Sequence, residues 1–213
     1  MRNLYHPINT QLQMKKGGLF IGALFLIASL KAQMHFNDSL ALSRNKITKS
    51  AMIVLGSWSV ANIATGFIVS GQTSGETHYA WQMNAIWNLV NGGLAVMGYL
   101  NARRAMTKKY DYADNVAAQV GMEKLYALNL GLDFAYITGG FFLREKGTHE
   151  TNLKSKDQLN GYGSSIIIQG AFLLLYDATI LTLHHKNSVR LTKKIKSLEL
   201  NAGPGGLGLS WRF

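Results

Sequence analysis

Four long stretches with almost no charge restrict how this chain can fold more than any other feature of the sequence. Residues 51–75 and 77–102 contain no charged residue, and residues 125–143 and 158–185 contain one aspartate each. Each stretch has about the 20 residues that an α-helix needs to cross the hydrocarbon core of a bilayer. Backbone polar groups in lipid must be hydrogen-bonded within the protein, so we expect four transmembrane helices.

The breaks between these stretches set the expected architecture. Short connectors favour antiparallel neighbours, so the fold class is an all-α membrane protein with an up-down four-helix transmembrane bundle. The expected helices cover residues 39–70, 79–109, 115–145 and 157–196. The expected regions are residues 1–33 as an upstream extension and signal peptide, 34–196 as the bundle, and 197–213 as an extended Gly-rich tail.

The positive charge of the chain is concentrated between the apolar stretches. Lys and Arg number 22 against 11 Asp and Glu, which gives a net charge of +11. The basic residues form clusters in the connectors instead of lining one helix face, a pattern typical of membrane-flanking charge. We therefore expect the lipid bilayer as a partner and no nucleic acid.

The N-terminal region resembles a bacterial secretory signal peptide. Lys15 and Lys16 precede an apolar run at residues 17–30, and Ala32 supplies a small residue for cleavage. An uncleaved helix in the membrane interface is the alternative. The pattern predicts a bacterial inner-membrane protein, with outer-membrane association left open. The orientation is contested, because cleavage would place the most basic connector outside the cytoplasm, against the positive-inside rule.

The C-terminal tail has a different pattern from the rest of the chain. Leu207, Leu209, Trp211 and Phe213 alternate with small or polar residues, as in a strand. A flexible tail or a strand docked on the bundle is one interpretation. The other is an outer-membrane or partner-binding signal, because a terminal aromatic residue resembles the last strand of an outer-membrane barrel.

Polar residues near the middle of the apolar helices form the main candidate site. A carboxylate in hydrocarbon costs about 2.5–3.5 kcal/mol on insertion scales, so it must face the bundle interior and find a donor. We predict a central polar cluster of Asn62, Asn88, Asn91, Asp133 and Asp177. The cluster either holds the helices in register or forms a pathway for protons, ions or a small solute.

Small residues on another face of the third helix form a helix-packing motif. Gly131, Ala135 and Gly139 recur every four residues and permit close helix approach. Packing within the bundle is the first interpretation, and a homodimer face is the alternative.

The sequence lacks the usual signatures of an enzyme. Cysteine is absent, which excludes disulfides, thiolate zinc sites and cysteine nucleophiles. No histidine pair has the i, i+4 spacing of a metal site, and no nucleophile elbow or phosphate-binding loop is present. We expect no enzyme activity, no metal and no cofactor. Haem or metal binding by His184 and His185 is the alternative, although adjacent residues point about 100° apart on a helix.

Two motifs resemble those of an uncharacterised family of small bacterial four-helix integral membrane proteins. They are WxxNxxWNxxNG at residues 81–92 and NLGLD at residues 129–133. The resemblance covers about residues 39–190 and implies no known activity. The expected function is a structural or partner-binding role in the bacterial envelope, with a homodimer or an envelope protein as partner. A transporter or channel subunit that uses Asp133 and Asp177 is the alternative.

Overall fold

Four helices and a C-terminal hairpin make up the described part of the chain. The computed structural model describes the backbone of residues 10–196, 198–203 and 206–211, and the side chains of residue 31 and residues 34–193. The elements are α1 (Thr10–Gln72), α2 (Gly75–Ala105), α3 (Tyr112–Thr148), α4 (Leu153–Lys196), β1 (Leu198–Gly203) and β2 (Gly206–Trp211). The predicted all-α four-helix bundle is confirmed.

Helix α1 is longer than the sequence pattern predicts. It runs for 63 residues and continues through the predicted cleavage position and the predicted N-cap at residues 37–39. The predicted helix start at residue 39 is wrong, because residues 31–50 contain no glycine or proline to end the preceding turn. Asn37 instead donates from Nδ2 to the carbonyl of Tyr110 at 2.8 Å. The side chains of the predicted signal segment lie outside the described residues, and its cleavage stays a prediction.

Short connectors keep sequential helices antiparallel. Only residues 73–74 separate α1 from α2, and Gly75 adopts a left-handed φ of 62° that L-residues with side chains rarely reach. Asp111 caps α3 by accepting a hydrogen bond from the backbone N–H of Asp114 at 2.7 Å. Residues 149–152 join α3 to α4.

The bundle consists of two helical hairpins joined mainly through α4. Helix α1 packs along α2, and α3 packs along α4. Helix α4 also contacts α2 over a shorter length, and α1 touches α4 and α3. Within the described residues α2 and α3 have no close backbone contact. A space is therefore left between these two helices.

Glycines permit the closest approach of α3 and α4, but they are different glycines from those predicted. A Cβ on Gly140 would lie 2.7 Å from the carbonyl oxygen of Gly163. Gly131, Ala135 and Gly139 are exposed, and a Cβ on either glycine would meet nothing within 4 Å. Their predicted packing within the bundle is wrong, because they lie on the outer face of α3. The homodimer face stays a prediction.

The tail forms a two-stranded hairpin where a single extended strand was predicted. Strands β1 and β2 are antiparallel, with Leu198 paired to Trp211 and Gly203 paired to Gly206. The side chains of this hairpin lie outside the described residues.

Among the residues whose side chains the structure describes, two helices, not four, are long and apolar enough to cross a membrane by length and composition. They are Met34–Gln72 of α1 and Leu153–Lys193 of α4. The mean hydropathy of α2 and α3 is too low for them to count as such helices, although both have exposed apolar residues. Polar residues such as Asn84, Asn88 and Asn91 of α2 lower its mean hydropathy, and all three are buried.

Candidate binding site between α2 and α3

The interior of the bundle is unusually polar. The largest side chains with less than 2% exposure are all polar: His184, Gln119, Gln169, Asn88, Asn115, Asp133 and Ser59. Many large apolar side chains are on the outside, among them Leu128, Phe134 and Leu175, which are 64%, 61% and 72% exposed. Apolar residues such as Leu55, Leu173 and Ile180 are buried as well, but so many buried polar and exposed apolar side chains are unusual for a water-soluble protein.

A chain of side-chain amides crosses three helices in the middle of the bundle. Asn84 donates from Nδ2 to Oδ1 of Asn62 at 2.9 Å, and Gln169 donates from Nε2 to Oδ1 of Asn84. The indole N–H of Trp58 donates to Oε1 of Gln169 at 3.0 Å. Asn88 donates to the backbone carbonyl of Asn84 at 2.9 Å. These bonds join α1, α2 and α4 at one level.

A pair of carboxyl groups lies deeper between α3 and α4. Asp133 and Asp177 are 2% and 4% exposed, and their carboxyl groups lie beside each other. Asn129 lines the same space. Carboxyl groups held away from water cost free energy unless polar groups satisfy them.

A buried arginine forms a polar layer near the end of the bundle where α2 joins α3. Arg44 is 2% exposed and donates from Nη1 to the backbone carbonyl of Asn115 at 3.1 Å and to its Oδ1. Asn115 donates in turn to Oδ1 of Asn37 at 2.8 Å. The guanidinium carbon lies 4.7 Å from the ring centroid of Tyr110, a cation–π distance.

A fourth polar layer contains His184. Gln119 donates to the backbone carbonyl of His184 at 2.7 Å and accepts from Asn187 at 2.9 Å. The ring of His184 is fully buried and stacks on Tyr126 with centroids 5.5 Å apart. His185 is exposed and lies 3.6 Å from a carboxylate oxygen of Glu123. The two histidines therefore occupy different environments.

A cavity of about 870 Å³ occupies the space between α2 and α3. Its walls are largely apolar, and Val90, Leu94, Met97, Leu125 and Leu132 line it while remaining exposed at its mouth. A volume of this size suits a small-molecule site. The cavity is therefore an apolar groove that opens sideways between two helices.

Buried polar atoms without partners face this groove. Among the described residues, Nη2 of Arg44 and Nδ2 of Asn91 have no hydrogen-bond partner, although both side chains are more than nine-tenths buried and line the cavity. Oδ2 of Asp133, which also lines the cavity, has no hydrogen-bond partner among the described residues. A buried polar atom without a partner costs about 1–3 kcal/mol. These atoms suit a ligand that carries polar groups.

The predicted polar cluster is divided between two places. Asn91, Asp133 and Asp177 line the groove together. Asn62 belongs to the separate chain of amides, and Asn88 lies in the core beside that chain. All five predicted residues occupy the middle of the bundle, but they do not form a single cluster.

The predicted cluster does not include Gln169 or Arg44, although each belongs to one of these polar layers. Gln169 bridges Trp58 and Asn84. Arg44 lies in the first part of α1, before the uncharged stretch that begins at residue 51. The spacing of Arg44, Thr48, Met52 and Leu55, at intervals of three or four residues, could have indicated that Arg44 shares a helix face with apolar residues.

The donor groups of the described residues do not form an evident metal site. No group of three or more His, Asp or Glu side chains is close enough there to hold a metal ion. Amides, hydroxyls and one guanidinium can instead donate hydrogen bonds to oxygen atoms of an organic ligand.

Comparison with known proteins places the chain in a family. No curated protein and no solved structure matches it. A family model described as "Family of unknown function (DUF6992)" matches residues 54–178, more than half of the chain. The match includes both motifs, at residues 81–92 and 129–133, and all five residues of the predicted cluster. The chain therefore belongs to the DUF6992 family, an uncharacterised family.

Proposed function

We propose that the protein is a non-enzymatic integral membrane protein of the bacterial envelope that binds an amphiphile from the bilayer between α2 and α3. The observation that carries this proposal is the groove, whose walls and mouth are apolar but whose buried Arg44 and Asn91 have unpartnered donors. A bilayer-resident molecule with a polar group would satisfy both features.

The two most apolar helices are mostly exposed, and this supports a membrane location. In the most apolar 18 residues of each helix, only 17% of α1 and 28% of α4 is buried inside the protein. The core helix of a water-soluble protein would be mostly buried. A signal sequence would lie near the N-terminus, which cannot explain α4. Lipid contact accounts for the exposed apolar residues of both helices.

The outer faces of α2 and α3 extend the same argument to four spans. On α2, Ile86, Leu89 and Val96 are exposed, and on α3 Leu128 and Phe134 are exposed. Apolar patches of this extent are expensive in water. We propose that α2 and α3 also cross the bilayer, with their asparagines and aspartate turned inward and their apolar faces toward lipid.

Purification with bound ligand tests the proposed function. The protein is isolated in a mild detergent, denatured and extracted, and the extract is analysed by mass spectrometry. We expect an amphiphile at near-stoichiometric amount. Leu132→Trp should reduce that amount because the larger ring occupies the groove, whereas Leu128→Trp, on the outer face of the same helix, should not. The absence of any enriched amphiphile, or an unchanged amount with Leu132→Trp, would contradict the proposal.

A transporter or channel subunit is the second candidate, and the position of the carboxyl pair favours it. Asp133 and Asp177 both line the groove, and ionisable side chains at membrane depth often mark a path for protons or ions. In liposomes that contain a pH-sensitive dye, a transporter would produce a flux that Asp133→Asn abolishes without loss of assembly. The proposal of amphiphile binding predicts no proton flux from the unaltered protein or from Asp133→Asn.

A further inference from the structure

Arg44 is a buried cation without a counter-ion. Its Nη1 donates to the neutral Asn115, its guanidinium lies over the Tyr110 ring, and Nη2 has no hydrogen-bond partner. None of the ion pairs among the described residues includes Arg44. An uncompensated buried charge is strongly destabilising, whereas a hydrogen-bonded ion pair is tolerated. A negative group on a ligand would supply what the chain lacks.

The surroundings of Arg44 add positive charge at the same end of the groove. The ammonium of Lys108 lies 5.0 Å from the centroid of the Tyr110 ring, the ring that Arg44 also contacts. Lys109 is already neutralised by Asp38 at 2.6 Å, but Lys108 has no ion pair within the described residues. This end of the groove therefore attracts an anion.

The groove extends far beyond the cation. Arg44 bonds to Asn115, and Asp133 lies about 27 Å further along α3 at the rise of an α-helix. Leu94, Met97 and Leu125 line the intervening walls. A free inorganic anion would use only the Arg44 end, whereas a molecule with an anionic head and a long apolar chain would use the full length.

The burial of Arg44 restricts the size of the head. The side chain is 2% exposed, covered on one side by the Tyr110 ring, and only one amino group is free. A carboxylate matches one free guanidinium nitrogen, whereas a glycerophosphate head is bulkier. We propose that the groove binds a single-chain carboxylic acid, with its carboxylate on Arg44 and its chain running between α2 and α3 toward Asp133.

Saturation binding with radiolabelled palmitic acid tests this inference, which rests on the proposed function. Displacement of the label by unlabelled palmitic acid is compared with displacement by methyl palmitate, which has the same chain but no charge. For the unaltered protein in a non-ionic detergent, we expect the acid to bind about tenfold more tightly than the ester, the difference expected from a charge-assisted hydrogen bond. Equal affinity would overturn the inference and leave the proposed function standing.

Two variants test whether Arg44 causes the difference in affinity between the acid and the ester. Arg44→Gln should bring the affinity of the acid down to that of the ester, whereas Arg103→Gln, an exposed arginine on α2 outside the groove, should leave it unchanged. The acid–ester comparison needs no variant, so it decides the matter even if Arg44→Gln does not fold. Failure of both ligands to bind saturably would overturn this inference, and the extraction experiment described above would then decide the proposed function by itself. Stronger displacement by phosphatidylglycerol than by palmitic acid would overturn the assignment to a single-chain acid.

Discussion

The indole N–H of Trp58 donates to Oε1 of Gln169 at 3.0 Å, and this bond ties α1 to α4 at the centre of the bundle. Gln169 is fully buried and also donates to Asn84, so one side chain connects three helices. Apolar packing gives little net drive between helices in lipid, so such bonds help to specify which helix faces which.

Replacement of Gln169 tests the importance of this junction. Gln169→Leu removes two hydrogen bonds and leaves Trp58 Nε1 without its acceptor. We expect the free energy of unfolding to fall by about 2–4 kcal/mol, from about 0.6 kcal/mol for each of the two bonds and about 1–3 kcal/mol for the unpartnered donor. Gln72→Leu, at the exposed end of α1, is the matched control and should have almost no effect. Equilibrium unfolding in sodium dodecyl sulfate measures both, and equal effects would contradict the assigned junction.

Adjacent glycines of α3 should differ sharply in their tolerance of a methyl group. Gly140→Ala would place a Cβ 2.7 Å from the carbonyl oxygen of Gly163, so α3 and α4 must separate. We expect a loss of about 1–3 kcal/mol in the free energy of unfolding. Gly139→Ala faces open space and should stabilise the helix by up to about 1 kcal/mol. Thermal unfolding of the two variants checks this, and similar midpoints would show that the α3–α4 contact is wrong.

Position 133 should tolerate replacement of the aspartate by asparagine but not by leucine. Asp133→Asn can still donate a hydrogen bond to Asp177, and we expect a change within about 1 kcal/mol. Asp133→Leu removes this partner from the buried Asp177 and should cost about 1–3 kcal/mol. Detergent unfolding compares the two variants. If Asn proves as destabilising as Leu, Asp177 does not depend on a polar partner at position 133.

The two ends of the bundle should differ in their access to a membrane-impermeant thiol reagent. The chain has no cysteine, so Thr107→Cys in the α2–α3 connector and Thr148→Cys at the end of α3 can be labelled singly. We expect only one of them to react in cells whose outer membrane admits the reagent. Labelling of Thr107→Cys alone supports the signal peptide, and labelling of Thr148→Cys alone supports the positive-inside rule. Reaction of both would contradict a bundle that crosses the membrane.

The helices were predictable because the uncharged stretches and the connectors between them are local features of the sequence. Periodicity also placed Asp133 and Asp177 in the interior, since a carboxylate cannot face lipid without a large cost. The start of α1 was missed because Asn37 and Ser39 are good capping residues whose side chains are used elsewhere, Asn37 by the distant Tyr110.

The groove could not be predicted from local patterns. It exists because α2 and α3 do not pack together, which depends on how two hairpins meet along α4. The role of Arg44 was hidden for the same reason. Its contacts with Asn115 and Tyr110 join residues more than 60 positions apart in the chain. The glycines were misassigned because Gly139 and Gly140 differ only by a rotation about the helix axis.

Spin-label accessibility measures most directly whether the apolar exterior faces lipid. Cysteine variants at Phe134 and Leu175, both exposed in the middle of their helices, are labelled with a nitroxide in the reconstituted protein, and Thr107→Cys serves as the connector control. We predict that oxygen, which concentrates in the bilayer, relaxes the labels at 134 and 175 more than a water-soluble nickel complex does, with the reverse at 107. Stronger relaxation by nickel at 134 and 175 would show that these faces meet water and would contradict the membrane bundle.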